Sequence, residues 1–108
     1  VIEITRFNDV VTITASNTAT TTSGRIAFSS YVSGAVLIGN TNGCTKIDWY
    51  GAHGSETTPL QIYSSGAAVT SAVTVGAIVM PAACEPFPFV VPVVSGGTTC
   101  AMTVVMKG

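Results

Sequence analysis

Charge is what this sequence lacks most: of its 108 residues four are Lys or Arg, five are Asp or Glu, and one is His. An average globular domain is about 25% charged, so a fraction of 8% leaves the exterior to Thr, Ser, Gly, Ala and apolar side chains. A surface of that kind is poorly protected against association. The four cations, Arg6, Arg25, Lys46 and Lys107, and a net charge of −1 argue against nucleic-acid binding, which needs many phosphates neutralised. The opening stretch VIEITRFNDVVTITASNTATTT sets one Arg against Glu3 and Asp9, which excludes a basic genome-packaging arm.

Long hydrophobic runs are missing too, although mean hydropathy is +0.57. The longest, Phe87 to Val94, is broken by Pro88 and Pro92 and falls well short of the roughly 20 residues that cross a bilayer as a helix. No membrane span is expected. No basic segment followed by an apolar one opens the chain, and residue 1 is Val, so either an initiator Met or a longer leader has been removed. No N-x-S/T acceptor occurs. The three cysteines, Cys44, Cys84 and Cys100, form no CxxC or metal-type spacing. They read as buried free thiols, with a Cys84 to Cys100 disulfide as the competing reading.

Recognisable chemistry is equally scarce. His53, in the Gly-flanked loop Gly51 to Glu56, is the only imidazole, and no GxSxG elbow accompanies it. Each cysteine sits among apolar neighbours, where a thiolate is disfavoured. The acids Glu3, Asp9, Asp48, Glu56 and Glu85 make no calcium loop and no sequence-adjacent pair. Gly51 to Gly54 and Gly96-Gly97 lack the Lys and the following helix of a phosphate cradle. No catalytic, cofactor or metal site and no small-molecule ligand is expected, and the chain reads as something other than an enzyme.

What is present is strand after strand. Val, Ile, Thr, Tyr and Phe recur in short runs bounded by Gly, Asn, Ser or Pro, with no sustained helical periodicity. Strands are expected over about 2 to 7 and 10 to 15, separated by an Asn8-Asp9 turn. A polar stretch, Ser16 to Ser23, follows as a loop or arm. Further strands are expected in Arg25 to Val32, Ala35 to Ile38, Cys44 to Tyr50 and Leu60 to Tyr63, with one or two in Val69 to Met80. Asn42-Gly43 signals a type I′ hairpin, and Ser64-Ser65-Gly66 a turn. The prolines place Phe87 to Val91 at an edge or outside the ladder. Ser95 to Thr98 then makes a hairpin turn into the strand Thr99 to Met106. Eight or nine short strands in one domain spanning 1–108 make an all-β, antiparallel β-sandwich or jelly-roll-like small barrel, with residues 1–23 as an N-terminal strand or arm. Trp49, in phase with Ile47, anchors the core, and Tyr50 faces outward.

Edge strands without charge invite pairing with other chains. The expected contact residues are Ile2, Ile4 and Phe7 in the arm, with Tyr50, Phe87 and Phe89. In style the segment Ile2 to Ala15 leading into Ser16 to Ser23, the strand Lys46-Ile47-Asp48-Trp49-Tyr50-Gly51 and the closing strand Thr98 to Lys107 resemble the small decoration, or cement, proteins of tailed-bacteriophage capsids. That resemblance implies a compact β protein on the virion surface that forms a homo-oligomer, binds the major capsid protein lattice, or does both, bridging neighbouring subunits and performing no chemistry. Two other readings stand beside it. One is a subunit of an extracellular filament or tail tube built by strand addition. The other is a carbohydrate-binding β-sandwich using Trp49, Tyr50 or Tyr63 with Asn40, Asn42 or Asp48.

Overall fold

A computed structural model of the chain describes residues 8–19, 24–28, 31 and 33–108. Its strands in chain order are β1 (Asn8–Ser16), β2 (Ile26–Ala27), β3 (Ser33–Ile38), β4 (Lys46–Ala52), β5 (Leu60–Gln61), β6 (Tyr63–Ser64), β7 (Ala67–Ala68), β8 (Thr70–Ala72), β9 (Gly76–Val79), β10 (Phe89–Ser95) and β11 (Thr99–Lys107). A single 3₁₀ turn, Ala82–Cys84, precedes β10. The strand expected at 2 to 7 lies outside the described residues. Asn8 and Asp9 form no turn; they open β1 and pair with Lys107 and Met106.

Among the described residues nine strands form one curled sheet, a half-barrel, in the order β5-β4-β10-β1-β11-β3-β9, with β2 also on β10 and β8 also on β4. The curl makes two faces of one sheet into a common interior. On β11, Cys100, Met102, Val104 and Met106 point inward, and the register sets them against Ala15, Ile13 and Val11 of β1 and Val36 of β3. From the other half come Ile47 and Trp49 of β4 and Val90 and Val94 of β10. Trp49 is fully buried, and its indole Nε1 donates to Ser71 Oγ at 2.9 Å, so the largest core side chain leaves no polar atom unpaired.

Phe87 to Val91, expected at an edge or outside the ladder, instead leads into β10, which is interior: its five central residues, Val90 to Val94, are all buried. It pairs with β4 over seven residues, Phe89↔Ala52 to Ser95↔Lys46. Backbone accounting explains Pro92. Its partner Trp49 sends both backbone groups the other way, N–H to Val69 O and C=O to Ile62 N–H. The Pro92–Trp49 pair is therefore a non-hydrogen-bonded one, and the imide nitrogen faces away from β4. On that far side β10 touches β2 only at Phe89 and Val90 and β1 only at Val93, so Pro92 falls in the gap between them.

Two expected hairpins are turns of another kind. Asn42 and Gly43 both have positive φ, 51° and 81°, and Cys44 N–H bonds Thr41 O at 2.9 Å, a type I′ turn. The strands it joins, β3 and β4, do not pair with each other. Ser95 to Thr98 likewise links β10 to β11 across the end of β1, which stands between them in the sheet. The hairpin that does form has Ser65 and Gly66 at its tip, with φ of 53° and 80°, and joins β6 to β7. It interrupts a single antiparallel path along β4, with β5 before it and β8 after it.

Truncating Trp49→Ala is expected to cost about 3–5 kcal/mol, read as a lower urea midpoint with unchanged slope. Trp49→Phe, which forfeits only the Ser71 bond and part of the ring, costs less. A loss under about 1 kcal/mol for the alanine variant contradicts the placement of Trp49 at the centre of the core.

Candidate functional site: an uncharged sheet face

The outward side chains of β1, β11, β3 and β9 align by register into rows that cross all four strands. Val10 lies opposite Val105, Val105 opposite Ala35, and Ala35 opposite Val79. The next row is Thr12, Thr103, Leu37 and Ala77. Neither row contains a charge. Val10, Leu37 and Val79 are exposed, Val79 most of all at 77%. Ala35 is shorter than the valines flanking it, so the row dips into a shallow depression of about 210 Å³ bordered by Val79, Val105, Gly34 and, at its rim, Lys107. Among the described residues strand β9 ends the sheet, with its one ladder to β3. The Val75 side chain beside it is 68% exposed.

Elsewhere polar groups are spent on structure. Arg25 donates from both terminal nitrogens, to Gly54 O at 2.6 Å and Thr57 O at 2.7 Å, and stacks over the Phe89 ring at 6.0 Å. It thereby ties the loop after β4 to β2. The Tyr31 hydroxyl donates to Asp9 Oδ2 at 3.0 Å, beside a cavity of about 330 Å³ between β1 and β2. Desolvation, followed by that carboxylate, raises the Tyr31 phenol. His53 borders a second hollow with Thr58, Gln61, Leu60 and Phe87, where no acid or thiol faces it. Among the described residues no group of His, Cys, Asp and Glu gathers as metal ligands do, and no helix is long and apolar enough to cross a membrane.

The residues expected to make contacts are divided by the fold. Ile2, Ile4 and Phe7 lie outside the described residues. Tyr50 and Phe89 share the outward parity of β4 and β10, on the half of the sheet away from the uncharged rows, and both are half-buried. Phe87 is turned to the interior, packed on Gly51: a Cβ there would stand 2.5 to 2.9 Å from its ring carbons. Trp49 is sealed in the core and offers no stacking surface, while Tyr63 projects on the β6–β7 hairpin. Val10 and Val105 escaped sequence reasoning because, between the polar ends of β1 and β11, both alternating sets are apolar or Thr, and Leu37 and Val79 because Gly34 to Ile38 of β3 and all of β9 are apolar or Gly on both. Periodicity there gives strand but not which side is inside.

No protein-family model matches the chain, and no curated protein sequence does. Its fold is similar to that in the crystal structure of the SPBc2 prophage-derived protein YomS. The TM-score is 0.66, over 100% of this chain and 99% of that one, at 10% sequence identity.

Two outcomes test this geometry. Gly51→Ala is expected to destabilise by about 1–3 kcal/mol through overpacking against Phe87. Pairing it with Phe87→Leu should recover part of the loss, and strict additivity in thermal melts contradicts the contact. Burial pushes the Cys84 thiol from its ordinary 9.0 up to about 12. The unfolded chain therefore ionises first, and the stability held by the neutral thiol is present below pH 9 and lost as pH rises toward 12. Urea midpoints of Cys84→Ala and the parent chain should converge over that window; a constant difference contradicts it.

Proposed function

We propose that this chain is a structural protein of a bacteriophage particle that decorates the capsid, laying its uncharged four-stranded face on the outer shell lattice and acting by attachment rather than catalysis. The observation that carries this reading is the pair of charge-free rows from Val10 to Val79 and from Thr12 to Ala77. Soluble β proteins ordinarily protect such a face and its edge with Lys or inward charges. A fold shared with a prophage-derived protein supports a phage setting.

Size argues for a lattice rather than a free dimer. Four strands at about 4.8 Å spacing and a few residues at about 3.3 Å rise make a patch on the order of 300 Å². Stable two-body interfaces bury about 800 Å² per partner. A patch below that size holds when a second contact or many neighbouring copies add to it, as on a shell. A second reading, a filament or tail-tube subunit, draws on the short uncharged edge of β9, which can accept a strand.

Leu37→Lys with Val79→Lys places two cations on exposed positions, so melting should move by little, within about 0.5 kcal/mol per site. Co-sedimentation with empty capsids of the parent phage should fall at least tenfold. Unchanged binding by the folded double variant sinks the proposal. Fibres formed by the purified chain alone, seen by negative-stain microscopy, favour the filament instead.

A further inference from the structure

Two cysteines meet at the end of the sheet where the turns gather. Cys44 closes the type I′ turn and Cys100 is the second residue of β11; they are 3% and 1% exposed. The Cys44 thiol donates to the carbonyl of Thr99, the neighbour of Cys100, at 3.5 Å. The Cys100 thiol donates to the carbonyl of Asn40, where the turn before Cys44 begins, at 3.7 Å. Each sulfur thus lies against the other's segment. The Asn42 side-chain amide ties the same two segments, Nδ2 to Thr99 O at 3.0 Å. Gly97 packs over Cys44: a Cβ on it would stand 3.0 Å from Cys44 Sγ and 2.7 Å from Asn42 O. The Cys44 thiol also joins burial in raising the Cys100 thiol, whereas burial alone acts on Cys84.

We propose that Cys44 and Cys100, and not Cys84, form an intramolecular disulfide when the protein meets a small-molecule disulfide such as oxidised glutathione, stapling the turn between β3 and β4 to the start of β11. One cysteine thiolate attacks the glutathione disulfide, forming a mixed disulfide and releasing one glutathione. The second thiolate attacks the protein sulfur of that mixed disulfide, forming the S–S bond and releasing the other. Two protein thiols lose two protons and two electrons, and one glutathione disulfide becomes two glutathione thiols. Both sulfurs are buried, so the Asn40 to Gly43 turn opens before the first attack, and oxidation is slow. The bond itself does not depend on the particle reading. Its setting does: a virion protein leaves a reducing cytoplasm for an oxidising exterior at lysis.

The test uses the full chain, purified reduced, incubated with oxidised glutathione, alkylated and digested with trypsin in denaturant without reductant. Cleavage after Lys46 parts Cys44 from both Cys84 and Cys100. Free thiols should fall from three to one, the mass should drop by two hydrogens, and peptides 26–46 and 47–107 should stay joined until reduced. Cys84→Ser should give the same joined pair with no thiol left. The melting temperature of the oxidised monomer should rise by on the order of 10 °C. Separated peptides with two thiols lost, which is the Cys84 to Cys100 pairing, overturn the proposal. So do three persistent thiols, a retained glutathione adduct, or a joined pair that disappears in Cys84→Ser.

Discussion

The sheet hangs on β10. It is the strand through which the two halves of the half-barrel communicate, with a full seven-residue ladder to β4 on one side and two brief contacts, to β2 and to β1, on the other. A strand buried on both faces has to be apolar throughout, and Val90 to Val94, the buried centre of β10, is. Pro92 removes the one donor that would demand a partner on the open side, so the sheet can bend away there without stranding a buried N–H. That bend brings the Met102 side of β11 and the Trp49 side of β4 into one interior, as their shared core cluster records. The outward face of β1, β11, β3 and β9 is what remains once that interior has formed.

Much of this architecture was legible from residue order, because β-branched runs and turn residues carry local information. The all-β class, Trp49 in the core, the turn at Ser65-Gly66 and the type I′ geometry at Asn42-Gly43 all follow from local chemistry, while between one and two strands in Val69 to Met80 it left the choice open. Pairing did not. A type I′ turn fixes the path of four residues, and whether the strands beyond it pair is decided by what else lies between them. At Ser95 to Thr98 the end of β1 intervenes, so a good turn joins strands that are not neighbours. Pro92 misled for a related reason: the rule that bars proline from central strands concerns the N–H side alone, and a single sequence does not show which side is vacant.

The candidate site was hidden by the same property that makes it of interest. On an ordinary half-exposed strand the charged residues mark the outside. Here Val10, Thr12 and Thr14 alternate with Val11, Ile13 and Ala15, and only the register to β11 and β3 sorts them. Tyr50 and Phe89 were conspicuous in sequence as aromatics, but their surroundings on β4 and β10 half-bury them, and Phe89 carries the Arg25 guanidinium. Aromatic identity was a weaker guide to the open surface than the small, unremarkable residues of the opposite half.

The distribution of the few charges bears on how that surface is used. Lys46 spends itself on Asp48 at 3.6 Å, and Arg25 is committed to the carbonyls of Gly54 and Thr57. Lys107 stands at the rim of the uncharged rows, not within them. The described cations therefore lie off the two rows: Arg25 ties a loop to β2, Lys46 sits in a partly exposed pair on β4, and Lys107 borders the face. An exposed β face of Val, Thr, Leu and Ala keeps high strand propensity, yet its two rows have no charge to repel another sheet, and among the described residues the sheet ends on β9, whose outer edge pairs with no other strand. Such a face is a hazard on a protein that diffuses alone and an asset on one that is covered by its neighbours. The scarcity of charge is concentrated in these two rows, and the attachment proposed for the chain rests on that placement more than on the overall composition.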